Sequence, residues 1–191
     1  MTEPAIKAVA IGASAGAVQA LLAILPALPA SYPLAVFVVV HVPPDRSNVL
    51  VPLFQTKCKL VVKEAEDKEP VIGGVVYFAP SDYHLLVEAD GALALSTDEA
   101  VNYSRPSIDV LFESAADAYG PTLAGLILTG ANHDGAAGLK AVMNAGGVAI
   151  VEDPDGAYAS AMPHAALEAC PSARTMKLDA IASYLLSLGT A

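Results

Sequence analysis

Three polar residues in this sequence have the side-chain types of a nucleophile, a base and an acid. Ser14 lies in the small-residue run of residues 12–16, His41 directly follows an apolar run, and Asp134 lies in a polar loop. A serine hydroxyl attacks a carbonyl carbon when a histidine accepts its proton and a carboxylate fixes the histidine tautomer. The Gly-x-Ser-x-Gly spacing around Ser14 is also that of a nucleophile elbow. These residue types predict acyl transfer, although their order along the chain is not that of an α/β-hydrolase.

The glycine turn around Ser14 has a second interpretation, as part of a nucleotide-binding site. Free N–H groups at the start of the following helix can bind a phosphate as well as an oxyanion. A dinucleotide fingerprint, however, needs a glycine where Ser14 stands and a carboxylate where this chain has His41. The sequence therefore favours hydrolysis over dinucleotide binding.

Each of the three residues also has a purely structural interpretation. Ser14 fits a tight turn, and the His41 ring can bond to the backbone at the end of its strand. Asp134 is well placed as the N-cap of a helix predicted over residues 136–145. No metal site is expected, because the remaining histidines lack acidic partners at metal-ligand spacing; these are His84, His133 and His164.

Apolar runs alternate with helical patterns along the whole chain. Residues 34–40 are continuously apolar, which is typical of a strand buried on both faces of a parallel sheet. Asp90 and Gly91, between two short apolar runs, predict one antiparallel hairpin. The expected fold class is α/β, a doubly wound, mostly parallel sheet flanked by helices. The predicted helix caps are Asp45 or Ser47 for a short helix ending at residue 54, Ser107 for residues 108–119, and Asp179 for a final helix ending at residue 188.

Composition limits the class of protein. The 191 residues suit a single domain, and 54% hydrophobic with 16% charged residues excludes a largely disordered chain. A formal net charge of −10 argues against nucleic acid or an anionic membrane as the main partner. The uncharged residues 8–30 are interrupted by glycines and prolines, so we expect no membrane insertion. Cys58 and Cys170 are expected to be thiols of a cytoplasmic protein, with a single bridge as the alternative.

The sequence resembles a known family, the CheB-type chemotaxis receptor methylesterases. The resemblance covers nearly the whole chain, with the motifs in the family's order. They are IGAS at residues 11–14, VHVPP at 40–44, VYFAP at 76–80, HLL at 84–86, VNYSRPSIDVLF at 101–112, LTG at 128–130, DGAAGL at 134–139 and MP at 162–163.

The resemblance implies a doubly wound α/β domain with a catalytic triad of Ser14, His41 and Asp134. It implies hydrolysis of glutamate methyl esters on the cytoplasmic helices of methyl-accepting chemotaxis receptors, together with glutamine deamidation in many members and no cofactor. Backbone N–H groups of Ala15, and of Ala131 in the loop before the acid, would hold the oxyanion.

Two departures from the family pattern lie close to these residues. The family usually has Gly-Ala-Ser-Thr-Gly-Gly, where this chain has Ala15 and Ala17, and Thr-Gly-Met-Gly, where it has Ala131 and Asn132. A backbone donor survives a side-chain change, so the triad is expected to remain while rate or substrate preference changes. The alternative is a catalytically weak or inactive receptor-binding module of the same fold.

Two further expectations come from the resemblance. Arg105 is a candidate substrate-binding residue, and its alternative role is a surface ion pair. The best-known members of the family carry an N-terminal receiver domain. This sequence has no room for one before its first strand, so a single methylesterase domain over residues 1–191 is expected.

Overall fold

A seven-stranded sheet forms the middle of the protein, with helices on both of its faces. The computed structural model describes residues 4–41 and 49–190. In chain order the strands are β1 (Ala8–Ala13), β2 (Ala35–Val40), β3 (Val61–Glu64), β4 (Val75–Phe78), β5 (His84–Val87), β6 (Leu93–Ser96), β7 (Leu123–Ile127), β8 (Val148–Glu152) and β9 (Arg174–Met176). The large sheet has the order β3-β4-β2-β1-β7-β8-β9, and all of its neighbours are parallel. β5 and β6 form a separate antiparallel pair.

The helices lie on the two faces of the sheet and enclose one apolar core on each face. They are α1 (Ala17–Ile24), α2 (Leu50–Lys57), α3 (Ile108–Tyr119), α4 (Ala136–Asn144), α5 (Ala161–Ala169) and α6 (Leu178–Leu188). One core lies between the sheet and α1, α2 and α6. The other lies between the opposite face and α3, α4, α5 and the hairpin. The helices on both faces therefore bury the whole centre of the sheet.

The central strands explain why the sheet is parallel. Every residue of β1 and β2 is buried. Along β1, Val9 and Ile11 pack into one core, while Ala8 and Ala10 pack into the other. A strand with two apolar faces needs cover on both sides, which crossover helices supply. The predicted doubly wound α/β fold with one antiparallel hairpin is therefore confirmed.

Several predicted boundaries differ from the observed ones. β1 continues two residues past the predicted end at residue 11, and β9 was not predicted. Lys177 rather than Asp179 occupies the N-cap position of the last helix, so the prediction for Asp179 is wrong. Asp45 and Ser47, the predicted caps of α2, lie outside the described residues. Cys58 and Cys170 are both free thiols.

Ser107 stands at the N-cap of α3, as predicted, but its side chain does not cap that helix. Its hydroxyl instead donates a hydrogen bond to Oδ1 of Asp134 at 2.8 Å. Asp134 in turn does not cap the helix that follows it, because Gly135 occupies the N-cap of α4 without a side-chain bond. Both side chains therefore form hydrogen bonds between the start of α3 and the loop before α4, rather than capping their own helices. None of the helices in the described ranges is both long and apolar enough to span a bilayer.

Candidate active site

Ser14 lies in the turn between β1 and α1. Its N–H donates to the Thr129 carbonyl at 2.9 Å, and its own carbonyl accepts from Ala17 at 2.9 Å. Gly16 takes φ +84°, a backbone conformation that glycine adopts without steric cost. This turn holds a half-buried serine at the carboxyl end of β1 and the N-terminus of α1, as the sequence predicted.

His41 follows β2, the strand next to β1. Its backbone N–H donates to the carbonyl of Ala13 at 3.3 Å, so its main chain is bonded to the residue that precedes Ser14. The ring Nε2 lies 2.7 Å from Oδ2 of Asp134, and the imidazole side chain is only 13% exposed. The parallel register of β1 and β2 therefore brings the base to the same sheet edge as the serine.

Asp134 is fully buried and accepts an unusual number of hydrogen bonds. Burial by itself raises the pKa of this carboxyl, but the bonds it accepts, first among them the one from His41, outweigh burial and lower the pKa. The carboxylate is therefore charged at neutral pH and suited to stabilise an imidazolium. Besides His41, its donors are Asn102 Nδ2 at 2.8 Å, Ser107 Oγ at 2.8 Å, Ile108 N–H at 2.7 Å and Asp109 N–H at 3.2 Å.

The contacts of Asp134 and Asn132 indicate the same tautomer of His41. The Oδ1 of Asn132 accepts a hydrogen bond from the Asp134 N–H at 3.1 Å, which orients the amide. Its Nδ2 then faces Nδ1 of His41 at 3.3 Å. Because Nδ2 is only a donor, Nδ1 must be the unprotonated acceptor and Nε2 must carry the proton that Asp134 accepts. Nδ1 is therefore the basic nitrogen.

Two backbone donors near Ser14 are available for an oxyanion. Within the described ranges, neither the Ala15 N–H nor the Ala131 N–H donates a hydrogen bond to another residue. The loop is fixed directly before Ala131, since the Gly130 N–H donates to the Ala159 carbonyl at 3.0 Å and the Gly130 carbonyl accepts from the Met162 N–H at 2.9 Å. The side-chain changes at these two alanines thus leave the donors in place.

The structure joins two of the three predicted catalytic side chains directly. His41 and Asp134 share a short hydrogen bond, whereas in the described part of the chain no hydrogen bond joins the Ser14 hydroxyl to His41. No group of three or more metal-binding side chains occurs in residues 4–41 and 49–190. The asparagine at position 102 and the serine at 107 were not predicted as site residues, although both lie in the polar motif that precedes α3.

Arg105 is engaged by neighbouring loops. Its Nη2 lies 2.7 Å and its Nε 3.0 Å from Oδ1 of Asp82, while Nη1 donates to the carbonyls of Thr97 and Asp98 at 2.9 and 3.0 Å. The ion pair with Asp82 is the alternative weighed for this residue from the sequence. Its role in substrate binding stays a prediction.

Known proteins that this chain is similar to are described as methylesterases. A family model described as CheB methylesterase matches residues 9–185. A putative protein-glutamate methylesterase/protein-glutamine glutaminase of Leptospira interrogans is 43% identical over 95% of this chain and 94% of its own length. A protein-glutamate methylesterase/protein-glutamine glutaminase of Archaeoglobus fulgidus is 41% identical over 84% of this chain, which spans only 47% of that protein.

A solved structure agrees with these relatives. The crystal structure of the Thermotoga maritima CheB methylesterase catalytic domain matches with a TM-score of 0.91 at 34% identity, covering 97% of this chain and 100% of that one. The family resemblance inferred from the sequence is thereby confirmed, and the chain belongs to the CheB methylesterase family.

Proposed function

We propose that this protein hydrolyses glutamate methyl esters on methyl-accepting chemotaxis receptors in the cytoplasm. The observation that carries the proposal is the 2.7 Å hydrogen bond between His41 and the buried, charged Asp134, at the sheet edge that also holds Ser14. The names of the relatives support the substrate class. The same chemistry on a glutamine amide would release ammonia, so deamidation belongs to the proposal.

The mechanism follows from the tautomer of His41. Nδ1 accepts the proton of the Ser14 hydroxyl as Oγ attacks the ester carbonyl. The imidazolium that forms keeps its Nε2 proton against the Asp134 carboxylate, which stabilises the positive charge. Before this step, Nδ1 has to lose its contact with the Asn132 amide. The serine oxygen and the carbonyl carbon then form a tetrahedral intermediate.

Collapse of the intermediate completes each half of the reaction. The N–H groups of Ala15 and Ala131 donate to the oxyanion while it carries the charge. His41 returns its proton to the methoxy oxygen, the C–O bond breaks and methanol leaves an acyl-enzyme on Ser14. Water then attacks the acyl carbon with His41 as base, His41 returns the proton to Ser14 Oγ, and the receptor is released with a glutamate side-chain carboxylate. The two donors give no support to an inactive binding module.

Replacement of the nucleophile tests the proposal. In Ser14→Ala, release of methanol from methylated chemoreceptor should fall by about 10⁴-fold or more, because no covalent intermediate can form. The measurement is labelled methanol released per enzyme at saturating receptor. The matched control is Ser31→Ala, an exposed serine before β2, which should keep the parent rate.

Equal methanol release by the parent and by Ser14→Ala would rule out Ser14 as the nucleophile. Equal thermal stability of the parent and both variants, measured by circular dichroism, is needed to assign a lost rate to chemistry rather than to unfolding.

A further inference from the structure

A two-residue hairpin turn next to the candidate active site carries an aromatic residue that the fold does not explain. Val101 and Ser104 exchange backbone hydrogen bonds of 3.1 and 2.9 Å, and the two residues between them both have positive φ, +50° at Asn102 and +61° at Tyr103. Positive φ at both positions is typical of a type I′ turn, which favours asparagine followed by glycine. Tyrosine therefore occupies the position that glycine fits best, at a cost in backbone strain.

No packing compensates for this strain. The Tyr103 side chain is 101% exposed, so its ring packs against no other side chain in residues 4–41 and 49–190. An exposed aromatic ring on a left-handed backbone lowers stability without contributing to the core. Residues that break a local rule in this way without compensation are expected at functional sites.

The turn is tied to the candidate active site through its other residue. Asn102 Nδ2 donates to Oδ1 of Asp134 at 2.8 Å and to Oδ2 of Asp109 at 2.7 Å. On the other side of the turn, Arg105 bonds to Asp82. These side-chain bonds fix the base of the turn, so Tyr103 is held beside the acid that contacts His41.

A second exposed aromatic residue lies on the serine side of the site. Tyr158 is 82% exposed and packs on Gly16, two residues after Ser14, where an added Cβ would lie 2.6 Å from the Tyr158 Cβ. One aromatic ring is thus tethered to the acid and another to the nucleophile turn. Aromatic side chains are enriched where proteins bind other polypeptides, because they bury much apolar area with few rotatable bonds.

We propose that Tyr103 is a substrate-contacting residue, which packs against the receptor polypeptide on either side of the glutamyl ester. Tyr158 extends the same surface across the site. The inference rests on the proposed function for its choice of partner. A polypeptide substrate reaches beyond the ester, and its apolar side chains and methylene groups bury the exposed ring on binding. Backbone strain is thus retained in the free protein for a contact made only in the complex.

The test is Tyr103→Gly, which should have opposite effects on stability and on receptor binding. Glycine at this position of the turn relieves the strain, so the thermal unfolding midpoint should rise by about 2 °C. The KM for methylated chemoreceptor in membrane vesicles should rise roughly tenfold, while kcat stays within about twofold. Tyr103→Phe keeps the ring and should keep the parent KM.

The matched control is Lys68→Gly. Lys68 is an exposed residue in the loop after the edge strand β3, and its φ is also positive, +64°. This variant should gain stability in the same way and keep both KM and kcat. A rise in KM confined to Tyr103→Gly assigns the effect to the tyrosine ring rather than to relief of strain.

Binding without turnover separates this inference from the proposed hydrolysis. In the Ser14→Ala background, the dissociation constant for the same vesicles should also rise about tenfold when Tyr103 becomes glycine. That result upholds the inference even if the parent releases no methanol. Equal binding with and without the tyrosine ring, or no binding of vesicles by the Ser14→Ala chain, overturns it.

Discussion

At the scale of single residues, Asn132 is the side chain that most distinguishes this site. Its amide donates to Nδ1 of His41, the nitrogen that accepts the proton of Ser14 in the proposed mechanism. At 3.3 Å the contact is long for a hydrogen bond, so little free energy is needed to break it. Asn132 therefore supports the tautomer that the bond to Asp134 favours, and it competes only weakly with the proposed nucleophile for Nδ1.

Removal of the amide should make the base more accessible. Asn132→Gly should increase the rate at which diethyl pyrocarbonate modifies His41 by roughly two- to fivefold, the effect of losing one neutral hydrogen bond of up to about 1 kcal/mol. Peptide mass spectrometry measures modification at this histidine separately from the other three. The control is Asn144→Gly, an exposed residue at the end of α4. A slower or unchanged reaction in Asn132→Gly would contradict the competition.

At the scale of elements, the N-terminus of α3 donates backbone hydrogen bonds to a carboxylate beside α4, and the N-terminus of α4 donates one to a carboxylate of α3. Asp134, just before α4, accepts from the N–H groups of Ile108 and Asp109 in the first turn of α3. Asp109 in turn accepts from the N–H of Gly138 in the first turn of α4 at 2.6 Å. Negative charge at a helix N-terminus is stabilising, so each helix fixes a carboxylate for the other. The position of the N-terminus of α3 therefore determines where the Asp134 carboxylate lies.

Gly12 sets the distance between α3 and β1. A Cβ at this position would overlap the side chain of Ile108, which is fully buried. Gly12→Ala should therefore cost about 1–3 kcal/mol of unfolding free energy. It should also lower esterase activity, since α3 has to move away from Asp134. Gly156→Ala is the control, because an added Cβ there has only a 3.7 Å neighbour.

A double variant checks that the overlap is the cause. Ile108→Ala removes the methyl groups that Gly12→Ala would meet. The free energy lost by the double variant, from urea unfolding, should be at least roughly 1 kcal/mol smaller than the sum of the single losses. Simple additivity would show that the two residues do not interact in this way.

At the scale of the whole molecule, buried carboxyls and a net charge of −10 make stability depend on pH. Glu152 at the end of β8 is 2% exposed and accepts from the Thr129 N–H at 2.8 Å. Burial raises the pKa of Glu152. The folded state therefore binds a proton more readily than the unfolded chain does, and Glu152 favours folding more as the pH falls through its raised pKa. Asp134 acts in the opposite direction, because its pKa is lowered and its contribution is lost at acid pH.

Glu152→Gln mimics the protonated form and keeps an oxygen for Thr129. Its thermal unfolding midpoint should exceed that of the parent at pH 8, and the difference should shrink as the pH falls towards the usual glutamate value of about 4.3. Scanning calorimetry across this pH range measures the unfolding midpoints of the parent and of Glu152→Gln. Glu168→Gln, on an exposed position of α5, is the control and should follow the parent at every pH. A difference that stays constant with pH would exclude charge burial as the cause.

The fold class can be predicted from the amino-acid sequence alone. Apolar runs without alternation require a sheet covered on both faces, and this pattern is local, so it can be recognised in β1 and β2 from the chain alone. Ser14 and His41 are predicted as site residues for the same reason, because the ends of such strands can be recognised in the sequence. The sequence does not predict β9, because its three residues are mostly exposed and show no alternation of apolar and polar side chains.

The hydrogen-bond partners of the polar side chains cannot be predicted from the sequence, because they lie far away along the chain. Ser107 and Asp134 both read as local helix caps, yet each bonds across the gap between α3 and α4. The contact of Asn132 with His41 and the full exposure of Tyr103 were equally beyond the sequence. Sequence patterns report burial and local backbone preference. The partner of a polar group depends on which distant segments the parallel sheet brings to one edge, and that is settled only when the whole chain packs.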